Sequence, residues 1–382
     1  MARTLKSDKT LFLATLLLVG ASVVMVYSAS AVQAMAKYQA PSFFLYKQLA
    51  WAIIGITLML LAMRVDYHEY KRPAVIWSLV SVTLVLLLAV FFFAPINGTQ
   101  RWLSLGVASL QPSELAKLAV ILFTAAILER RMHRVNDVGY ALVPIGLVTL
   151  LFAALIIKEP DFGTAAIVVL VAVAMLFMAG LSYRYVFGVA LAVLPVAMAL
   201  VLTSPYRLRR VMSFLNPEAD PLGAGFQTLQ SLFAIGSGGV FGKGLMAGIQ
   251  KLYYIPEPHT DFIYAVIAEE LGLVGTTLTL LCFVFIGWRG LRAALVASDR
   301  FGTLLAFGIT MMVVLQAFVN ISVVTALVPN KGIPLPLVSN GGSSLVINLI
   351  AMGILLNISQ QSSVTAAASG SRSNWTFSGQ EA

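Results

Sequence analysis

Residues 256–287 read PEPHTDF, then IYAVIAEELGLVGTTLTLLCFVFIG. The second part is an apolar run long enough to cross a bilayer, which takes roughly 20 helical residues. The first part sets Glu257, His259 and Asp261 at its mouth. Charge so close to hydrocarbon is costly and points to function. Two readings of Asp261 compete on spacing alone. It is either a helix N-terminal acid favoured by the macrodipole or a reactive carboxylate.

Outward from this stretch the same texture continues. The 382 residues are 59% hydrophobic and 11% charged, where soluble domains carry roughly 25% charged residues. The chain therefore reads as an all-α polytopic membrane protein. Ten transmembrane helices are expected at about 10–28, 46–63, 74–94, 113–128, 139–157, 161–181, 185–203, 263–287, 303–326 and 343–358. Residues 1–358 form a single membrane domain. The Ser/Ala/Gly-rich stretch 359–382 reads as a disordered cytoplasmic tail. The net charge of +9 comes with no basic, aromatic-interleaved patch, so nucleic acid is not an expected partner. The single cysteine, Cys282, lies in an apolar run and cannot form an internal disulfide.

Orientation follows from Lys and Arg. Arg64, Lys71, Arg72, Arg130, Arg131, Arg134, Arg289, Arg292 and Arg300 fall in loops of one side, together with Arg3, Lys6 and Lys9. By the positive-inside rule that side is cytoplasmic, and so are both termini. Loops 95–112, 204–262 and 327–342 then face outward, with the large loop 204–262 between helices seven and eight.

The outward loops carry the candidate chemistry. Gln111-Pro112-Ser113 is a helix start, and Glu114 and Lys117 follow it three residues apart on one face. They are either a self-satisfied pair or a cation aimed at an anionic group. Glu159-Pro160-Asp161 makes a tight turn, and Arg207, Arg209 and Arg210 open the long loop. The glycine-rich run 236–244 lacks the Ser/Thr of a Walker A loop after Lys243 and reads as packing. Glu269-Glu270 lie two turns inside the eighth helix, either as an ion pair with buried Lys or Arg or as groups on a transport route. Lys331-Gly332 and residues 339–344, with Ser343, line the last outward loop. Arg101, Lys117, Arg209, Arg210 and Lys331 against Glu114, Glu257 and Asp261 suit a lipid-linked pyrophosphate: cations for phosphates and a carboxylate as base. No metal cluster is visible, since His68 and His133 fall inside and His259 outside.

These motifs resemble the SEDS family (shape, elongation, division and sporulation) over nearly the whole chain. The matching blocks are Arg101-Trp102 with Gln111-Pro112-Ser113-Glu114-Leu115-Ala116-Lys117, Pro160-Asp161 with Gly163-Thr164, and Asp220-Pro221-Leu222-Gly223 with Gln230-Ser231. They continue with His259-Thr260-Asp261-Phe262, Glu269-Glu270-Leu271-Gly272, and Leu335-Pro336-Leu337 with Gly341-Gly342-Ser343-Ser344. Lys331-Gly332 and Trp288-Arg289-Gly290 are most similar to the FtsW/SpoVE branch, with RodA next. Two positions depart from the family pattern: Asn340 stands for a tyrosine and Glu159 for a glutamine.

The resemblance implies a peptidoglycan glycosyltransferase that polymerises lipid II on the outer face of the bacterial cytoplasmic membrane. It implies a class B penicillin-binding protein as partner, other divisome proteins nearby, and a place at the division septum. The family's essential aspartate maps onto Asp261. Substrate contacts are expected from Lys117, Glu114, Arg101, Glu257, His259, Thr260, Asp161, Arg210, Lys331 and Ser343. No cofactor is required by this reading; a divalent cation (Mg2+ or Mn2+) remains open as a helper. The rival readings are a lipid II flippase, a RodA-type elongation polymerase and a non-catalytic divisome scaffold.

Overall fold

The computed structural model describes residues 8–373, except 95–98, 106–107, 222, 224, 253 and 331. Twelve α-helices follow in chain order: α1 (Lys9–Tyr38), α2 (Phe43–Ala62), α3 (Pro73–Ala89), α4 (Pro112–Arg131), α5 (Val143–Lys158), α6 (Phe162–Met178), α7 (Tyr183–Leu202), α8 (Pro205–Leu215), α9 (Phe226–Gly238), α10 (Ile263–Val296), α11 (Arg300–Val324) and α12 (Gly342–Ser373). Seven helical stretches are long and apolar enough to cross a membrane by length and composition, and α6 is a shorter apolar helix. The chain is a mostly helical, multi-pass membrane protein.

A helix overlaps each of the ten expected stretches, with shifted ends, although α4, α6 and α7 are not among the seven long and apolar enough to cross a membrane. Asp8 caps α1 by accepting from Leu11 N at 3.1 Å. The helix then runs past residue 28 because residues 29–37 are rich in Ala and carry no breaker before Gln39 turns left-handed at φ 55°. Two pieces depart from an all-α reading: strands β1 (Leu103–Leu105) and β2 (Ala108–Leu110) pair antiparallel, Leu103 opposite Leu110, and lead into α4. Helix α12 runs on to Ser373, past residue 358, and the remainder of the expected tail lies outside the described residues.

The interior is built from α4, α11 and α12. Helix α4 is buried on nearly every side, with Ala119, Val120, Ile121, Phe123 and Leu128 all enclosed. Its charged residues must therefore find partners within the protein. Helices α2 and α12 approach closely at glycines: a Cβ at Gly55 would lie 2.5 Å from Leu349, and one at Gly353 2.5 Å from the Met59 carbonyl. Small residues at such crossings let backbones meet where hydrophobic attraction between helices is weak. Helix α7 is peripheral, with Phe187, Leu191, Leu194 and Met198 exposed.

The loop 204–262 is not a plain polar connector. After α9 the chain passes through residues 239–251 against the side of α10, about 10 Å along that helix from its start. There α10 is broken at Gly272 (φ 65°, ψ −158°). Two of its own hydrogen bonds are replaced by four from the loop. Glu269 O accepts from Lys243 N and Glu270 O from Gly244 N, both at 3.0 Å. Leu273 N donates to Gly239 O at 2.9 Å and Val274 N to Val240 O at 3.1 Å. Backbone at membrane depth must be paired within the protein, and this exchange pairs both sides of the break. Only glycine fits there, since a Cβ on Gly242 would strike the Glu270 carbonyl. The outer side of the segment is apolar, with Phe241 83% exposed beside Val240, Leu245 and Ile249. A surface like that suits hydrocarbon rather than water.

Candidate active site

The connections 39–42, 93–111, 159–161, 203–262 and 325–341 gather at one end of the helices. Hydrogen bonds cross between them, Arg101 to Glu159 O, Asn340 N to His259 O and Arg210 to Asn330 O, and others tie them to the helices, Gln111 N to Ser343 Oγ on α12 and Asn320 on α11 to Asp261 O. Two adjoining cavities open here. The first, of about 260 Å³, is lined by Thr99, Arg101, Trp102, Gln111, Glu257, Thr260, Asp261, Gly332, Pro334, Asn340, Gly341 and Ser344. The second, of about 210 Å³, is lined by Arg101, Asp161, Arg210, Asn330 and Gly332 on a largely apolar wall that includes Phe162, Val201 and Val211. Arg101 and Gly332 belong to both.

Asp261 does not cap α10. Helix α10 starts after Phe262 with no side-chain cap, and among the described residues nothing hydrogen-bonds the Asp261 carboxylate. It keeps a partly open surface in the first cavity and is otherwise enclosed by protein. Burial raises its carboxyl to about 6; Asp161 and Glu257 push the same way, while Arg101 and Arg210 oppose. It is thus still mostly ionised at neutral pH and close to the working pH of a general base. Gly332 faces it so closely that a Cβ there would sit 2.5 Å from Asp261 Oδ2.

Arg101 is fixed by the opposing turn. Its Nε donates to Glu159 O at 3.0 Å and its Nη2 to Pro160 O at 2.5 Å. Its Nη1 lies 4.0 Å from Asp161 Oδ2. Asp161 is the N-cap of α6: Oδ1 accepts from Thr164 N at 3.1 Å, and Oδ2 from Thr164 Oγ1 at 2.9 Å and Gln111 Nε2 at 3.3 Å. Its role is therefore in part architectural. Glu257 has a left-handed backbone (φ 48°) and an exposed side chain at the cavity rim. Thr260 Oγ1 donates back to Glu257 O at 2.9 Å.

Four expected contact residues are not on the cavity walls. Glu114 and Lys117 form a buried ion pair at 2.9 Å, and Lys117 Nζ also donates to Gln316 Oε1 at 2.5 Å. The self-satisfied reading of that pair is the observed one. Ser343 is buried and holds Gln111 N at 3.2 Å. His259 is buried against Phe44, with ring centroids 4.5 Å apart. Burial first, then Lys37 and Lys47, lower it to about 4, so it is neutral at pH 7. Lys331 lies outside the described residues.

Glu269 and Glu270 are closed off as ion pairs. Lys243 reaches Glu269 at 2.8 Å, and Ile249 N and Gln250 N donate to it. Lys251 reaches Glu270 at 2.5 Å, joined by Ser28 and Met246 N.

Sequence reading missed Gln316 and Asn320, and it marked Glu159 only as a turn residue and a departure from the family pattern. Glu159 is completely buried beside Asp161, and neither of its carboxylate oxygens has a partner. Burial, then Asp161, raises it to about 8 against the pull of Arg101, so it is protonated at neutral pH. Gln316 and Asn320 lie four apart on one face of α11 and reach the loops above. Polar amides in an apolar helix were the only available signal. Among the described residues no three His, Cys, Asp or Glu side chains converge on one point.

Comparison with known proteins extends this picture. A family model described as "Cell cycle protein", covering FtsW, RodA and SpoVE, matches residues 9–364. The stage V sporulation protein E of Bacillus subtilis is 43% identical over 361 residues, covering 93% of this chain and 97% of that protein. A probable peptidoglycan glycosyltransferase FtsW of Trichlorobacter lovleyi is 42% identical over 358 residues, covering 94% of each. Among solved structures, a chain from work on the structural coordination of polymerization and crosslinking by a peptidoglycan synthase complex superposes with TM-score 0.77 at 30% identity. It covers 94% of this chain and 99% of its own.

Proposed function

The chain belongs to the FtsW, RodA and SpoVE family of cell cycle proteins, and on that premise we propose that it is a peptidoglycan glycosyltransferase joining lipid II units into glycan strands. Ten of its helices span the cytoplasmic membrane, both termini are cytoplasmic, and the two cavities open on the outer face. A class B penicillin-binding protein is its partner and septal wall synthesis its setting, alongside other divisome proteins.

The reaction assigned to the site is an inverting glycosyl transfer. The 4-hydroxyl of an acceptor GlcNAc attacks C1 of the MurNAc at the lipid-linked end of the growing strand. The new C1–O bond forms as the C1–phosphate oxygen bond breaks, and undecaprenyl pyrophosphate leaves with the electron pair. Asp261 takes the hydroxyl proton. The first cavity, with Asp261, Glu257 and Thr260, receives the acceptor sugar. The second, with Arg101 and Arg210 on an apolar wall, receives the pyrophosphate and the first part of its polyprenyl chain. The charge on the leaving group is met by these arginines and not by Lys117, whose charge is spent on Glu114.

One observation carries this reading: a carboxylate without a hydrogen-bond partner, raised toward neutral pH, where a cavity with two arginines adjoins its own. A flippase would need ionisable groups available deeper in the membrane, and the deep carboxylates are committed to Lys243 and Lys251. The test is strand formation from purified lipid II with the cognate transpeptidase, wild type against Asp261→Asn. Polymer from the wild type and none from a folded variant supports the assignment. Equal polymer from both refutes Asp261 as base. No polymer from either refutes the polymerase reading.

A further inference from the structure

We infer that Asn320 is a positioning residue that holds the Asp261 backbone and the facing 332–334 segment at a fixed spacing. The inference rests on the reading of Asp261 as base. Asn320 sits on α11, beneath both loops and almost wholly buried. Its Nδ2 donates to Asp261 O at 2.8 Å and to Ile333 O at 2.7 Å. One amide thus bridges the two segments that form opposite walls of the first cavity. The orientation of the amide is dictated: two carbonyls can be met only by its NH2 end. Its Oδ1 is left buried without a partner. A group that leaves one buried end unsatisfied is held there by what the other end does.

One turn earlier, Gln316 makes the companion contact. Its Nε2 donates to Pro334 O at 3.0 Å, while Lys117 holds its Oε1. The buried Glu114–Lys117 pair therefore acts on the site through Gln316, below the cavity floor. The spacing matters because Gly332 already lies against Asp261 Oδ2 with no room for a Cβ. A shift of about 1 Å in a reacting group costs on the order of 100-fold in rate.

The experiment compares wild type, Asn320→Leu and Asn320→Asp as full-length proteins with the transpeptidase, reading polymerisation of lipid II from pH 4.5 to 8. Asp261→Asn is run beside them. Leucine removes both bonds, and aspartate sets a carboxylate against two carbonyls. The expected result is about a 100-fold fall in maximal rate. In addition, the acid limb moves down by about one pH unit as Asp261 swings toward water and the ordinary carboxylate range. A loss of folded protein scales the profile without moving that limb. Wild-type rates, an unmoved limb, or failure of both variants to fold would each overturn the positioning role. Activity retained by Asp261→Asn would instead sink the base assignment, whatever Asn320 does.

Discussion

Replacing Glu159 by glutamine should stabilise the protein, and more so as pH rises. The free carboxyl titrates at 4.5 and the folded one at about 8. Below pH 4.5 both states hold the proton, and Glu159 adds no pH dependence. Between 4.5 and 8 the folded state keeps a proton that the unfolded state releases, so stability declines with rising pH. Above 8 both are ionised and the loss is complete. Each pH unit in that window removes about 1.4 kcal/mol. From pH 4.5 to 7 that amounts to about 3 kcal/mol, with no allowance for solvent screening because the side chain is fully buried. Glutamine keeps the shape and never ionises. Both Glu159 oxygens are already unpartnered, so the exchange forfeits no hydrogen bond. Thermal unfolding of the detergent-solubilised protein should show Glu159→Gln and wild type nearly equal at pH 5. At pH 7 the variant should melt about 5 °C higher. A difference that stays flat from pH 5 to 8, or a variant less stable throughout, refutes the claim that Glu159 is held protonated in the fold.

The wild-type rate of polymerisation should rise with pH through a midpoint near 6 as Asp261 loses its proton; a rate flat from pH 5 to 7.5 counts against Asp261 as base. Gly332→Ala should fold normally yet lose on the order of 100-fold in rate, because its Cβ would lie 2.5 Å from Asp261 Oδ2; comparison of melting curve and turnover separates the two effects. Lys251→Met should strip Glu270 of its cation at a cost of about 3–5 kcal/mol, and adding Glu270→Gln should restore much of that stability, both readable as recovery of monodisperse protein by gel filtration.

The apolar runs made the helices legible because lipid demands long, nearly uncharged segments. Legibility failed where polar residues continue a helix, as in the last turns of α1, and where a loop folds back on a helix. Nothing in the 239–251 sequence announces that its backbone completes α10 at Gly272; that exchange is non-local and forms only in the folded chain. Arg101, Glu257, Thr260 and Asp261 were legible as cavity residues because charge and hydroxyls cluster in loops that must meet at one end. Lys117 and Glu114 were not resolved by spacing, since an i,i+3 pair can be aimed outward or closed on itself. Burial of α4 decides for the closed form. Glu159 was visible only as a departure from the family pattern, and Asn320 only as a polar amide in an apolar helix. Their importance lies in what surrounds them: a dry pocket for one and two carbonyls for the other.

The break at Gly272 also constrains how the chain is made. An uncompensated charge within a membrane helix is costly to insert, and α10 carries Glu269 and Glu270 side by side. Their cations, Lys243 and Lys251, precede them in the chain and so leave the ribosome first. The segment from α9 through α10 can then leave the translocon as one neutralised unit, its helix completed by the strand of chain synthesised just before it. A chain interrupted between residues 251 and 263 would deliver α10 with two bare carboxylates and an open ladder. Ribosome-arrested intermediates should accordingly show α10 integrating efficiently only when residues 239–251 are attached ahead of it.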